Sequence, residues 1–288
     1  MIESPDLSRI HGLIGELFRP TQAPRALSAA EVEEFRREGF LLGPRLLDAH
    51  QLHALRCAVD DLVAGRASGM DRLPLRRSDR RGGDGHEQWH VSGAWRVAEA
   101  IHDLVFASAV TLPVSQLLGH PRPLLFRDQI FVKQPLSPGL VPWHQDYSDW
   151  MHTTPPTHTT CWIALDDTTP ENGCIHYLPR SHTQGILPKI NMSDDMESAL
   201  QRLPTLMREG REPRAVAVSA GCCVFHHCLT VHASYGNRTN QIRRGISLTF
   251  MHPHTRSTDA QRPVGPGCPA VPRGELIAGP LFPSLGDL

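Results

Sequence analysis

The sequence lacks several features by which whole classes of protein are recognised. Only two of its 288 residues are lysine, Lys133 and Lys189, and the formal net charge is −1, so it has no basic excess for binding nucleic acid. No apolar run reaches the roughly 18 residues that a membrane span needs, and the first residues lack the basic start and apolar stretch of a signal peptide. These absences predict that the main partner is neither nucleic acid nor a membrane.

Cysteine usage and missing motifs exclude further classes. Seven scattered cysteines suit a reducing compartment better than a disulfide framework, so we expect a cytoplasmic protein. Cys222, Cys223 and Cys228 lie beside His226 and His227, but without a second paired motif this spacing does not favour zinc. The absence of a Gly-x-Ser-x-Gly elbow and of a Walker loop leaves hydrolase and nucleotide-binding functions without support.

Sequence patterns divide the chain into helical and strand-forming parts. Capping boxes at Ser28 and Asp48 predict helices, and an Arg-, Gly- and Asp-rich segment, 66–88, is expected to be a surface loop. From Leu124, short β-branched or aromatic segments alternate with Pro, Gly and Asn, which predicts an antiparallel barrel or sandwich. We therefore expect one domain over residues 1–288, with a helical part (about 27–118), a β core (about 124–252) and an irregular tail (253–288).

One His-x-Asp motif has the spacing of a metal site. On an extended chain, His144 and Asp146 point to the same side, so an imidazole and a carboxylate can share a metal ion. His232 is the best candidate for a second imidazole, with His226 and His227 as rivals. Two histidines and one carboxylate on one face of an octahedron leave three positions open, as in non-haem iron(II) oxygenases. The motif alone is weak, because 17 histidines produce such pairs by chance.

An arginine after the distal histidine fits the same chemistry. Arg243 follows His232 in the sequence, and its guanidinium fork suits a carboxylate such as that of 2-oxoglutarate. Arg244 is the rival, and strand alternation separates the two. One face carries Arg243, Gly245, Ser247 and Thr249, and the other carries Arg244, Ile246, Leu248 and Phe250. The first, more polar face is expected to point into the barrel.

Several blocks in order resemble the phytanoyl-CoA dioxygenase family. They are FVKQP (131–135), PWHQD (142–146), CWIALDDTTPENGCIHYLPRSH (161–182), and HASYGN followed by Arg243. The opening LSAAEVEEFRREGFLLGPRLLDAHQLHALR is also similar, so the resemblance covers about residues 27–252. It departs at Arg180, where the family usually has glycine.

The resemblance implies a mainly β fold with flanking helices, built on a double-stranded β-helix (jelly-roll) core. It implies Fe(II), 2-oxoglutarate and O2, with His144, Asp146 and His232 as metal ligands and catalytic centre. The residues that it places around 2-oxoglutarate are Lys133, Trp162 and Arg243, with Ser234 as a weaker match. Gln129 joins this set because Lys133 shares strand parity with Gln129 and Arg127, which makes that face polar.

Four residues beside the metal motif are candidates for the substrate pocket: Trp143, Tyr147, Trp150 and Met151. They are expected to form an apolar wall or lid over the reacting carbon. The alternative is that some of them are ordinary core residues that point outward.

The implied activity is oxidation of an unactivated C–H bond of a small organic molecule, with release of succinate and CO2. A natural-product intermediate is favoured as substrate over a lipid acyl thioester of phytanoyl-CoA type. A non-catalytic jelly-roll binding or sensing protein is a second hypothesis, and a non-redox metalloprotein is a third. Loss of a metal ligand or of Arg243 would favour the second hypothesis, and all of these residues are present. The third hypothesis leaves the Arg243 anchor unexplained. The oligomeric state stays open, with a homo-oligomer as one option.

Overall fold

The computed structural model describes residues 6–73, 75–79, 88–189, 195–203 and 211–286. The α-helices in these ranges are α1 (Ala29–Glu38), α2 (Ala49–Val63), α3 (Glu99–Phe106), α4 (Ser108–Leu118) and α5 (Met196–Arg202). The first strands are β1 (Phe40–Arg45), β2 (Leu75–Asp79), β3 (Gln88–Ser92), β4 (Leu124–Lys133), β5 (Val141–His144) and β6 (Thr153–Thr154). The remaining strands are β7 (Thr159–Ala164), β8 (Ile175–Tyr177), β9 (Arg214–Val216), β10 (Cys222–His227), β11 (His232–Ser234), β12 (Arg243–Met251) and β13 (Arg256–Ser257).

Two antiparallel sheets form the β core. The major sheet has the strand order β1-β10-β7-β12-β4-β3-β2, and the minor sheet has the order β5-β11-β8-β9. A cavity is lined by Lys133 and Trp162 of the major sheet and by Ile175 and His232 of the minor sheet. The two sheets therefore enclose this cavity between their inner faces.

The outer face of the major sheet packs on the helices. Ile246, Leu248 and Phe250 of β12 are fully buried and share one apolar cluster with Leu55 and Val59 of α2. This packing agrees with the strand alternation, which assigned the opposite face of β12, with Arg243, to the interior of the barrel. Because the apolar face of β12 packs against the helices, the polar face of this strand lines the cavity.

The N-terminal part contributes strands to the major sheet as well as helices. The strand expected at Phe40 is present, and Ser28 caps α1 with a complete capping box. The surface-loop interpretation of 66–88 is wrong in part, because β2 pairs with β3, and β3 with β4, at one edge of the major sheet. Residue 74 and residues 80–87 of that segment lie outside the described residues.

Helices α3 and α4 are separated by a bend at Ala107, and both bury apolar side chains such as Leu104 and Val114. No single helix in the described ranges is long and apolar enough to cross a membrane. The pair α3 and α4 passes the same length and composition test only when taken together, across a bend of 44°.

Candidate active site

Three side chains converge at one end of the cavity. His144 ends β5, His232 begins β11, and the two residues are direct partners in the antiparallel pairing of these strands. Asp146 begins a short 3-10 helix immediately after β5. Its Oδ1 lies 3.5 Å from Nε2 of His144 and 3.7 Å from Nε2 of His232. One ligand atom from each residue lies within 4.8 Å of the other two, as a shared metal ion requires.

The backbone fixes the tautomer of both histidines. Nδ1 of His144 donates to the carbonyl of Pro142 at 2.8 Å, and Nδ1 of His232 donates to the carbonyl of Thr230 at 3.0 Å. Because a carbonyl only accepts, each Nδ1 carries the proton and each Nε2 keeps its lone pair for a metal. Two imidazole nitrogens and a carboxylate oxygen are the donor set of non-haem Fe(II), so the residues present fit that ion.

Charges in the site agree with metal ligation. Burial opposes ionisation of Asp146, but the neighbouring imidazoles outweigh it and hold the pKa of this carboxyl well below its usual value. Burial and the proximity of His144 lower the pKa of His232 to about 3. The site therefore combines an ionised carboxylate with a neutral distal imidazole, as metal ligands need. Burial lowers the pKa of His144, but the carboxylate of Asp146 outweighs it and raises that pKa, so a metal ion at Nε2 of His144 would compete with a proton.

His226, a rival ligand in the sequence, supports the carboxylate instead. Its Nε2 donates to Oδ2 of Asp146 at 3.2 Å, and its Nδ1 accepts from the hydroxyl of Tyr177 at 3.0 Å. Thr160 also donates to Oδ2, at 3.4 Å. The outer oxygen of Asp146 is thus held by protein donors while Oδ1 faces the two Nε2 atoms. His227, the other rival, points elsewhere and accepts from the backbone N–H of Leu229.

This arrangement predicts that His226→Leu weakens Co(II) binding by about 10–100-fold, because partners of a metal-bound carboxylate fix its orientation. His226→Gln should recover part of the loss, since an amide can donate to Oδ2. The adjacent His227→Gln is the matched control. Titration of the metal-free variants with Co(II), followed by visible absorption, measures the affinity. Wild-type affinity in His226→Leu would show that the outer oxygen needs no such support.

A pair of buried cations lies at the other end of the cavity. Lys133 and Arg243 are opposite each other on β4 and β12 and are 1% and 2% exposed. Burial lowers the pKa of Arg243 to about 10, and burial together with Arg243 lowers the pKa of Lys133 well below its usual value. Within the described ranges neither side chain has a carboxylate partner. Buried cations of this kind call for an anion.

Arg243 retains an N–H group that could donate to a ligand. Arg243 donates to the hydroxyl of Ser234 at 3.0 Å and to the carbonyl of Gly173, while its buried Nε has no hydrogen-bond partner. Lys133 donates to backbone carbonyls, among them that of Gly139 at 3.0 Å. A dianion such as 2-oxoglutarate, with one end on a metal and the far carboxylate at Arg243, suits this arrangement.

Arg244 occupies the opposite face of β12. Its guanidinium forms ion pairs at 2.9 Å with Asp166 and with Asp60 of α2. The alternation that selected Arg243 over Arg244 for the cavity therefore matches the structure.

The walls of the cavity contain Trp162, a predicted residue, and several residues that were not predicted. The Cζ of Arg243 lies 5.3 Å from the ring centroid of Trp162. That ring lies against Gly245, where even a methyl group would collide with it. The cavity has a volume of about 540 Å³ including its open mouth, and Gln129 and Ser234 line it as expected. Its apolar wall consists of Phe131, Val141, Trp162, Ile175 and Ala233.

The four residues predicted for the substrate pocket do not line this cavity, and their role in substrate binding stays a prediction. Trp143 precedes His144 on β5, points to the other side of the strand and packs in a separate apolar cluster. Tyr147 and Trp150 are buried in a cluster with tail residues such as Val264. Met151 is 44% exposed.

Comparison with known proteins agrees with the site. Residues 35–245 match the family model for phytanoyl-CoA dioxygenase. A phytanoyl-CoA dioxygenase of Arabidopsis thaliana is 30% identical over 160 residues, which are 53% of this chain and 55% of the relative. The chain thus spans about half the length of that relative. A phytanoyl-CoA dioxygenase domain-containing protein 1 of Bos taurus is 24% identical over 273 residues, 78% of this chain and 90% of the relative.

The fold is shared with a solved structure. The non-haem α-ketoglutarate-dependent carbocyclase SnoK from nogalamycin biosynthesis superposes with a TM-score of 0.72 over 92% of this chain and 100% of its own, at 24% identity. The predicted mainly β, jelly-roll fold is confirmed. With most of its length matched by the family model, this chain belongs to the phytanoyl-CoA dioxygenase family of iron- and 2-oxoglutarate-dependent oxygenases.

Proposed function

We propose that this protein is an Fe(II)- and 2-oxoglutarate-dependent oxygenase that oxidises an unactivated C–H bond of a small organic molecule. One observation carries the proposal: the His144, Asp146 and His232 donors and the buried Lys133 and Arg243 cations open onto the same cavity. A metal-binding site without redox function would have no use for two buried cations at the far end of the cavity.

The residues of this chain would hold both cofactors. Nε2 of His144 and His232 and Oδ1 of Asp146 would bind Fe(II), and Arg243 with Lys133 would bind the far carboxylate of 2-oxoglutarate. When bound, the iron and 2-oxoglutarate together activate O2, with one oxygen atom entering succinate as CO2 leaves and the other entering the substrate. Because His226 and Thr160 hold Oδ2 of Asp146, the carboxylate would offer only its other oxygen to the metal.

The protein would also exclude water and orient the substrate. The apolar wall that includes Phe131, Val141 and Ile175 limits solvent in the cavity, which strengthens charge interactions there and protects the reaction from side products. Substrate C–H bonds beside this wall are held by shape, and polar contacts fix which bond faces the metal.

As the finer proposal, the substrate is an intermediate of a natural-product pathway. Its support is the similarity in fold to SnoK, which acts in nogalamycin biosynthesis. An acyl thioester is the second candidate, supported by relatives named phytanoyl-CoA dioxygenase. Under the first candidate the substrate reaches the cavity as a free molecule, and under the second it arrives as an acyl thioester.

Succinate formation tests the proposal. Wild-type protein with Fe(II), 2-oxoglutarate and air is assayed against a library of small organic molecules and against coenzyme A thioesters of its acids. The expected result is succinate above the background rate with particular free molecules, together with a substrate product heavier by one oxygen or lighter by two hydrogens. Stimulation by thioesters alone would favour the second candidate, and no succinate under any condition would contradict the oxygenase assignment.

A further inference from the structure

A second arginine faces the interior of the barrel. Arg127 lies two residues before Gln129 on β4 and is paired with Thr249 of β12. The register shifts between Thr249 and Phe250, which leaves Phe126 as the extra residue of a β-bulge. As a result Phe126 and Arg127 both reach Trp150, with ring centroids 5.2 Å apart for the aromatic pair and Cζ of Arg127 5.6 Å from the Trp150 centroid.

The guanidinium of Arg127 has no partner among the described residues. It forms no hydrogen bond and no ion pair there, and its Nε is buried without an acceptor. Burial lowers the pKa of Arg127, although the negative charges of Asp146 and Asp128 act to raise it. The oxygens of Asp128 already accept the N–H groups of Gly93 and Trp95, at 2.8 and 3.0 Å. Because the guanidinium is partly buried and its Nε lacks an acceptor, a ligand that supplies acceptors would stabilise its charge.

The surroundings of Arg127 resemble those of Arg243. Each arginine lies on the inner face of the major sheet, within cation–π distance of a tryptophan, and each has a buried Nε without a partner. In both cases the aromatic ring supports the guanidinium plane and leaves its edge for an oxyanion.

Arg127 also lies at the level of the metal donors. Its strand partner Thr249 is paired with Thr160, whose hydroxyl donates to Asp146. Only β12 separates β4 from β7, so the backbones of Arg127 and Thr160 are about 10 Å apart at the usual strand spacing. Asp146 is also among the charges that act on Arg127, so the guanidinium lies on the side of the sheet that carries the metal donors.

The surroundings of Arg127 contain room and additional positive charge. Arg127 does not line the cavity of the metal donors. Together with Ser92, Arg96 and Leu281 it lines a second cavity, of about 440 Å³ including its open mouth. Arg96 donates to Asp6 at 2.8 Å but keeps a buried Nε without a partner. Two guanidinium groups thus face this cavity.

We propose that Arg127, supported by Trp150, binds an oxyanion of the primary substrate, a carboxylate or a phosphonate, at the second cavity. The rest of this anionic small molecule would then extend toward the metal centre and present a C–H bond there. This inference rests on the proposed oxygenase function and narrows its substrate class to organic anions.

The test is anaerobic calorimetry on the full chain with Fe(II) and saturating 2-oxoglutarate, so that Arg243 is occupied. Benzoate and phenylphosphonate are the anionic probes, and benzamide is the neutral one. We expect at least one of the two anions to bind and benzamide not to bind. Arg127→Gln should weaken anion binding at least tenfold, because it removes a charge-assisted contact of about 1.5–3 kcal/mol. The control is Arg214→Gln, because Arg214 is exposed and lies 5.8 Å from the Phe40 ring.

A second readout needs no variant. Phenylglyoxal modification mapped by mass spectrometry should show Arg127 protected by the anion that binds, with Arg214 unprotected. Absence of anion binding by wild-type protein, equal binding by Arg127→Gln, or modification of Arg127 unaffected by anion would each overturn the inference. The visible absorption of the Fe(II) and 2-oxoglutarate complex separates the two failures: its presence leaves the oxygenase proposal intact, and its absence contradicts that proposal as well.

Discussion

His144→Ala, Asp146→Ala and His232→Ala are each expected to lose bound iron and detectable turnover while keeping the wild-type fold. Each side chain points into the cavity and supplies one of three converging donors, so its removal leaves too few ligands for Fe(II). The core is spared because the apolar cluster beside these ligands, which includes Trp143 and Val231, contains none of the three side chains. Metal content, succinate formation and circular dichroism measure the three properties.

The neighbouring histidines provide the controls for this prediction. His227→Ala should retain iron and turnover, since its ring contacts His182 outside the cavity. His226→Ala should retain some iron, since His226 bonds to the outer oxygen of Asp146. Full activity in His232→Ala together with complete loss of iron in His226→Ala would move the distal ligand to position 226.

Arg243→Gln is expected to raise the 2-oxoglutarate concentration needed for half-maximal turnover by about 10–150-fold. This range corresponds to loss of a charge-assisted contact of about 1.5–3 kcal/mol. The glutamine amide has room beside Ser234 and Trp162, so the cavity should persist. Initial rates of succinate formation over a series of 2-oxoglutarate concentrations give the measurement.

Arg244→Gln is the matched control, one residue away on the same strand. It breaks the ion pairs with Asp166 and Asp60, so we expect a lower free energy of unfolding and an unchanged 2-oxoglutarate requirement. The reverse order of effects would show that the inner and outer faces of β12 are exchanged.

Local rules predicted much of the site. Strand alternation placed Arg243 and Gln129 inside the barrel and Arg244 outside it, because a period of two needs no knowledge of distant residues. The resemblance to a known family added Lys133 and Trp162. Their cofactor-binding roles stay predictions, although the structure brings both residues to the cavity wall.

The placements that the sequence could not predict depend on contacts between distant segments. Alternation could have excluded Trp143, the immediate neighbour of His144, but Tyr147 and Trp150 are covered by a tail that approaches from more than 100 residues away in sequence. The support of Asp146 by His226 depends on the pairing of His226 with Thr160 across β10 and β7. Arg127 was noted only for its parity with Lys133, because its bulge and its proximity to Trp150 arise from strand pairing.

The most direct test of the central claim is the visible absorption spectrum of the metal-free protein after anaerobic addition of Fe(II) and 2-oxoglutarate. A cavity with His144, Asp146 and His232 at one end and Arg243 at the other predicts a weak charge-transfer band that needs both additions, since the keto acid must chelate the metal. The band should form at higher 2-oxoglutarate concentration in Arg243→Gln and be absent in His232→Ala. A wild-type protein that binds Fe(II) and 2-oxoglutarate without developing this band would contradict the account.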